Sequence, residues 1–444
     1  MDALMLARIQ FAVTIGFHFI FPPISIGLGW MLVAAEWLGW KKNDPDFVRV
    51  GKFFGKLFAV NFAVGVATGI VMEFQFGTNW AQYSKYVGDI FGAPLAAEGV
   101  FAFFLESTFL GLYLYGRGRV SKALHWFSAL MVAVGATLSA FWIIVANSWQ
   151  QTPAGYVVRN GRAELTSFYD AVFNPSTMPR YLHTVTAAIV TGAFVMAGVA
   201  AWHLLRDRDS AFARKAMRIG VVAGLIFSIL EVMPFGHLHA QQVARTQPEK
   251  FAAIEGLYTS QNHAPLVLFA IPFSPPPQLK ANIEVPGMLS WMAFGDMAAH
   301  VQGLDAVPQE DRPPLWLTFV SFHNMVALGS WFILVMSLAA WNLYTGKLFT
   351  NRLLLKALVW SIPLPVVACE LGWTAAEVGR QPWIVYKLLR TSQAHSATVT
   401  AGEIWFSLLL FGAIYLALGA LWLFLMIKKA KTDPDDIQVG AAAA

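Results

Sequence analysis

The sequence predicts an all-α polytopic membrane protein: nine transmembrane helices in bundles, with a long external loop between helices six and seven. Two observations carry this. Of 444 residues, 57% are hydrophobic and only 13% charged, whereas a soluble domain carries about 25% charged residues. Apolar stretches of about 20 residues, enough to cross the hydrocarbon core, recur at 9–37, 53–73, 94–115, 123–147, 181–204, 217–236, 315–343, 354–378 and 403–427.

An odd number of crossings puts the two ends on opposite sides. Lys and Arg crowd into alternate short gaps: Lys41, Lys42, Arg49, Lys52 and Lys56, then Arg117, Arg119 and Lys122, then Arg206, Arg208, Arg214, Lys215 and Arg218, then Lys347, Arg352 and Lys356, with Lys428, Lys429 and Lys431 in the tail. The positive-inside rule therefore places the N-terminus outside and the C-terminus in the cytoplasm. The net charge of +5 reports topology and gives no support for nucleic-acid binding. The opening MDALMLARIQF lacks a basic n-region and cleavage site, so the first span is retained. Cys369 is the sole cysteine, which excludes an internal disulfide and a Cys metal cluster.

Between spans six and seven lies the one long hydrophilic segment. It contains IPFSPPPQ and QEDRPP, expected as extended linker. Its middle, QPEKFAAIEGLYTSQ, has helical spacing of Phe251, Ile254 and Tyr258 with Lys250 and Glu255 flanking. Long ordered loops in compact proteins are usually functional.

Ionisable groups inside apolar spans are costly and tend to face a cavity, partner or cofactor. The eighth span ends in ELGWTAAEVGRQPW, where Glu370, Trp373, Glu377 and Arg380 share one helical stripe. Glu98 and Glu106 stand eight residues apart in the third span, about 12 Å along the axis, as in a proton relay. His18 lies before Pro22 and Pro23 in the first span, His183 opens the fifth, and Met325 lies in the seventh. With the orientation above, all of these fall in the outer half of the membrane. Neutral imidazole, thioether and carboxylate are axial ligands that proteins offer to haem iron. No GxxxxGK[ST] loop is present, which argues against an ATP-driven pump.

Several long runs resemble one family, the large subunit of cytochrome bd quinol oxidases: LARIQFAVTIGFHFIFPP, GKLFAVNFAVGVATGIVMEFQFGTNW, YVGDIFGAPLAAEGVFAFFLEST, RYLHTV, QPEKFAAIEG and AAEVGRQPW. The resemblance implies quinol oxidation at the outer face of a bacterial cytoplasmic (inner) membrane and reduction of dioxygen to water, with protons drawn from the cytoplasm and no pumping. It implies two haem b groups, one low-spin and one high-spin, and a haem d. By the same resemblance His183 and Met325 match the low-spin ligands, and His18 and Glu377 match the ligands of the two high-spin haems, in either assignment. Glu98 matches a carboxylate at or beside the haem d iron and Glu106 one beside the haems on the proton route, which Ser107 and Ser139 would help to line. Lys250 and Glu255 match the quinol-loop pair, and Trp373 and Arg380 match residues packed around the haems. The implied divisions are 1–236 for helices one to six, 237–314 for the quinol loop, and 315–444 for helices seven to nine with the cytoplasmic tail. A second membrane subunit forming a heterodimer, small single-span subunits, and ubiquinol or menaquinol are the implied partners and substrates.

Two departures are visible. The loop is short and opens with GHLHAQQ where many members have Gly-Asp, as in the cyanide-insensitive branch. His323 stands where some members have Arg two residues before the ligand Met. Rival readings are a transporter with buried carboxylates, and a non-catalytic haem-b electron-transfer subunit; haem absorbance and CO binding distinguish them.

Overall fold

The protein is described here by a computed structural model covering residues 1–273 and 278–437. Among the described residues nine helices are long and apolar enough to cross a membrane: Ala3–Lys42, Pro45–Thr78, Ala81–Tyr115, Lys122–Gln151, Thr177–Arg206, Ala211–Thr246, Leu315–Tyr344, Arg352–Val378 and Ala401–Ala430. Each contains one of the apolar stretches read from the sequence. The helices extend beyond those stretches because polar and charged residues continue them into the interface.

Proline shapes the interruptions. The first span is jointed at Ile20, between Ala3–Phe19 and Phe21–Lys42, where Pro22 and Pro23 withhold backbone donors. The third span widens into a π-helical turn at Glu98–Phe103, just after Pro94. The sixth does the same at Glu231–Gly236, around Pro234. The eighth breaks between Trp360 and Leu364, at Pro363. Such turns recur at functional sites, and here they carry Glu98 and Glu231.

The fifth span is central, with 83% of its most apolar window buried, against 6% for the ninth, which lies at the periphery. It packs on the sixth span and on the second half of the first. Gly27 and Gly192 meet there so closely that a Cβ on Gly27 would stand 2.1 Å from the Ala188 carbonyl oxygen. Small residues at helix crossings permit this backbone approach.

The two ends of the bundle differ. At one, Lys215 bonds Asp44 at 2.6 Å and Asp46 at 2.8 Å, and His203 Nε2 lies 3.0 Å from the Ala430 carbonyl oxygen. This end gathers the basic gaps. At the other, Arg390 pairs with Asp311 at 2.5 Å and Tyr386 donates to Glu249 at 2.6 Å. Those contacts tie the segment after span eight to the long loop.

The sixth helix continues to Thr246, ten residues beyond the start of the loop inferred from hydropathy. His237–Thr246 are polar but contain no breaker, and the helix yields only as Pro248 approaches. A second helix, Pro248–Glu255, buries Phe251 and Ile254 and ends on Gly256 in the left-handed region (φ 68°). Tyr258 follows it. Part of the expected extended linker is instead an antiparallel hairpin, Leu266–Phe273 with Gln278–Val285. Residues 274–277 of that linker lie outside the described residues. Gln309–Asp311 form a short 3₁₀ turn.

Candidate haem and quinol site

The stripe at the end of span eight is the centre of a buried polar network. Glu377 Oε1 accepts from Asn147 Nδ2 at 3.0 Å and Gln151 Nε2 at 3.1 Å, while Oε2 accepts from Arg380. Arg380, 6% exposed, also donates to Gln150. Arg180 stands 3.8 Å from the same carboxylate and bonds Asn147 at 2.5 Å. Two guanidinium groups and two amides thus hold one carboxylate at the end of the spans. Trp373 lies half-buried one turn earlier.

Lys250 joins this network from the loop. It is 3% exposed, and its ammonium donates to Gln151 Oε1 and, at 2.8 Å, to Gln247 Oε1. Burial, followed by the charge of Arg180, pushes it well below the usual lysine range. Glu255 is 5% exposed and turns elsewhere. Its Oε2 is buried with no hydrogen-bond partner among the described residues, and burial pushes its carboxyl up to about 8.

The fourth span links this network to the carboxylates of the third. Ser139 donates to Glu98 Oε1 at 2.7 Å. One turn away, Gly135 faces Glu106, which is 6% exposed; a Cβ on Gly135 would lie 3.0 Å from that of Glu106. Gly135, Ser139, Asn147 and Gln151 lie on one i, i+4 ridge. Ser107 bonds back to Phe103 of its own helix at 2.7 Å.

The remaining candidate ligands stand singly, each on its own span. His18 Nδ1 lies 3.0 Å from Thr68 Oγ1, and a Cβ on Gly69 would come within 3.2 Å of the ring. His183 Nδ1 lies 2.8 Å from Glu231 Oε1, with Gly236 beside the ring. Met325 Sδ would be 2.8 Å from a Cβ on Gly372. His323 has both ring nitrogens near carbonyl oxygens, Phe319 at 3.1 Å and Val267 at 3.0 Å. Among the described residues no three His, Cys, Asp or Glu side chains converge as a bare-ion site would require.

The Cytochrome bd terminal oxidase subunit I family matches residues 6–434. The chain belongs to that family. It is 40% identical over 441 residues to cytochrome bd ubiquinol oxidase subunit 1 of Bacillus subtilis (strain 168), covering 97% of this chain and 94% of that protein. It is 36% identical over 505 residues to cytochrome bd-II ubiquinol oxidase subunit 1 of Escherichia coli (strain K12), covering 98% of each. Among solved structures it resembles the bd oxidase from Geobacillus thermodenitrificans, with a TM-score of 0.91 and 32% identity over 96% of this chain and 98% of that one.

Membership makes the chain a subunit of a haem-bearing terminal oxidase of the respiratory chain, and its residues fit haem. Each histidine has Nδ1 beside an oxygen, Thr68 Oγ1 for His18 and Glu231 Oε1 for His183, which leaves Nε2 for iron, the arrangement that orients metal-bound imidazole. His18, His183 and Met325 each face a glycine, so no Cβ fills the space beside the ligand.

Seven residues bonded to or beside the candidate side chains escaped the sequence reading: Thr68, Asn147, Gln150, Gln151, Arg180, Glu231 and Gln247. Glu231 carried a signal, since it is a charge between apolar runs, and Arg180 a weaker one, since it stands at the start of such a run. The neutral ones carried none, because a lone Thr, Asn or Gln within a helix or at its end is an ordinary residue.

Proposed function

We propose that this chain oxidises quinol at the outer membrane face and houses the reduction of dioxygen to water. The observation that carries this is the chain of hydrogen bonds from Lys250 through Gln151 to Glu377, which joins the loop to a haem-ligand candidate. In this reading His183 and Met325 hold a low-spin haem b, and His18 and Glu377 hold a high-spin haem b and a haem d. Bound there, the haems supply electron transfer from quinol and the iron at which dioxygen is reduced.

The chain's own residues handle protons and orientation. Glu255, kept neutral by burial near pH 7, takes a quinol proton once deprotonated. Lys250 contacts a quinol oxygen from its seat between Gln151 and Gln247. Glu98 and Glu106 hold protons on the way to the oxygen side, with Ser139 fixing Glu98. Arg380 and Arg180 hold Glu377 in place. Protons released outside and drawn from the cytoplasm build a potential without pumping.

The basic end of the bundle supports a cytoplasmic C-terminus and an external loop by the positive-inside rule. A second membrane subunit completes a heterodimer, with small single-span subunits as further partners. Ubiquinol and menaquinol share the head-group chemistry required; the relatives' names include both, one being a putative menaquinol oxidase subunit I of B. subtilis.

Reduced-minus-oxidised and CO difference spectra of the purified complex, with quinol-driven oxygen consumption, test the proposal. Low-spin and CO-binding high-spin signals with turnover are expected. Six-coordinate haem b alone, without CO binding, would identify a non-catalytic electron carrier instead.

A further inference from the structure

Glu231 belongs to no motif used above, yet it is placed with care. It opens the π-helical turn Glu231–Gly236 of the sixth span, and its side chain is only 14% exposed. A carboxylate in an apolar span is expensive and is retained where it meets a functional partner. Its Oε1 lies 2.8 Å from His183 Nδ1. The contact is short but off the line of an ideal N–H···O bond, so both Nδ1 and Glu231 Oε2 still lack hydrogen-bond geometry. Gly236, on the same turn, leaves room beside the ring, where its Cβ would stand 3.6 Å from Cε1. His239 packs at 5.3 Å from the His183 ring, at an interplanar angle of 57°.

We propose that Glu231 is a positioning residue for the electron-accepting haem: its carboxylate holds the proton of His183 on Nδ1, aims Nε2 at the iron, and lowers that haem's reduction potential. This rests on the reading of His183 as a low-spin ligand. The physics is general. A carboxylate accepting the second N–H of a metal-bound imidazole fixes its tautomer and makes it a stronger donor, which favours the ferric state. A thioether on the opposite side raises the potential. Glu231 therefore offsets Met325, so that the site accepts electrons from quinol yet still passes them on. The alternative is a helix-to-helix contact with no electronic consequence.

The test is an optical redox titration of the purified complex with Glu231→Gln, which keeps shape and an acceptor oxygen but removes the charge. The expected result is a low-spin haem easier to reduce, with its reduced-to-oxidised ratio raised about tenfold at fixed ambient potential, ~59 mV for one electron. The high-spin haems should not move, and Glu231→Asp should recover part of the shift. An unchanged low-spin potential in a haem-replete Glu231→Gln complex overturns the inference. Should that variant fail to assemble, the wild-type complex labelled with ¹⁵N-histidine decides by electron–nuclear double resonance. A strongly shared proton on Nδ1 of the ligand supports the pair, and an unperturbed N–H rejects it. His183→Ala separates the two levels: survival of the low-spin band in that variant refutes the ligand reading itself. Loss of the band together with an unmoved Glu231→Gln potential refutes only the role of Glu231.

Discussion

Lys250 and Glu377 are bonded to the same side-chain amide. Gln151 accepts from the lysine ammonium at its oxygen and donates from its nitrogen to the carboxylate at 3.1 Å. Gln151 is itself fully buried, so neither charge can exchange this amide for bulk water. A Gln151→Leu change strips one acceptor from a buried ammonium and one donor from a buried carboxylate. Each loss costs about 1–3 kcal/mol. The variant should melt at lower temperature than wild type. It should also lose quinol oxidation more than oxygen consumption driven by an artificial donor, because the loop residue moves first. Equal loss with both donors would place Lys250 outside the quinol site.

The pH dependence of quinol oxidation follows from Glu255. Its carboxyl is raised from the ordinary 4.5 to about 8 by burial, so the base form is scarce at pH 7 and grows as pH rises. Turnover limited by that base should increase up to about pH 8 and then level off. The same shift has a stability consequence of opposite sense. A carboxyl raised on folding favours the folded state at low pH, and that contribution is lost as pH climbs through about 8. Glu255→Gln should therefore flatten the activity profile and make the fold less sensitive to alkaline pH. Rate profiles of wild type and variant from pH 6 to 9 check the first effect, and thermal melting across the same range checks the second.

Glu377→Ala and His18→Ala are each expected to remove a high-spin haem and abolish oxygen reduction while the low-spin haem stays. Glu377→Ala has a second consequence. Arg380 and Arg180 would face one another with no anion between them, an uncompensated buried charge costing about 3–5 kcal/mol. His18→Ala frees a contact to Thr68 and leaves no ion pair broken, so its fold should survive better. Haem quantification with thermal melting separates these outcomes, and normal oxygen consumption with full haem content in either variant would falsify the assignment.

Much of the bundle could be read from hydropathy, because a span must be apolar for about 20 residues. Each of the nine described helices therefore encloses its predicted stretch. The candidate site was legible where charge interrupted apolar sequence, as at Glu98, Glu106 and Glu377. It was illegible where polarity only becomes informative in three dimensions. Gln151 ends one helix and Glu377 lies 226 residues away; no local pattern relates them. The spacing of Lys250 and Glu255 invited a single two-ended contact. Five residues of helix rotate them about 140° apart, and the two side chains meet different surroundings. The pairing of Leu266–Phe273 with Gln278–Val285 escaped because the prolines of that segment read as linker, while the partner of a strand is not announced by composition.

Met325 and His323 provide the most discriminating prediction, since two side chains two residues apart point to opposite faces and only one can reach a given iron. Met325 faces the eighth span at Gly372, where even a methyl group would approach its sulfur to 2.8 Å. His323 stacks on Phe319 at 3.8 Å and reaches the hairpin through Val267. Its ring nitrogens are thus engaged with backbone, whereas the sulfur is not. Met325→Leu should convert the low-spin haem to a high-spin or lost species. His323→Leu should keep the low-spin spectrum and lose about 1 kcal/mol from the missing tie to the loop. Gly372→Ala gives an independent check, because the added methyl displaces Met325 without altering either candidate ligand. Weakening of the low-spin band in Gly372→Ala and its retention in His323→Leu would together fix the thioether as ligand. The reverse pattern would transfer that role to the imidazole.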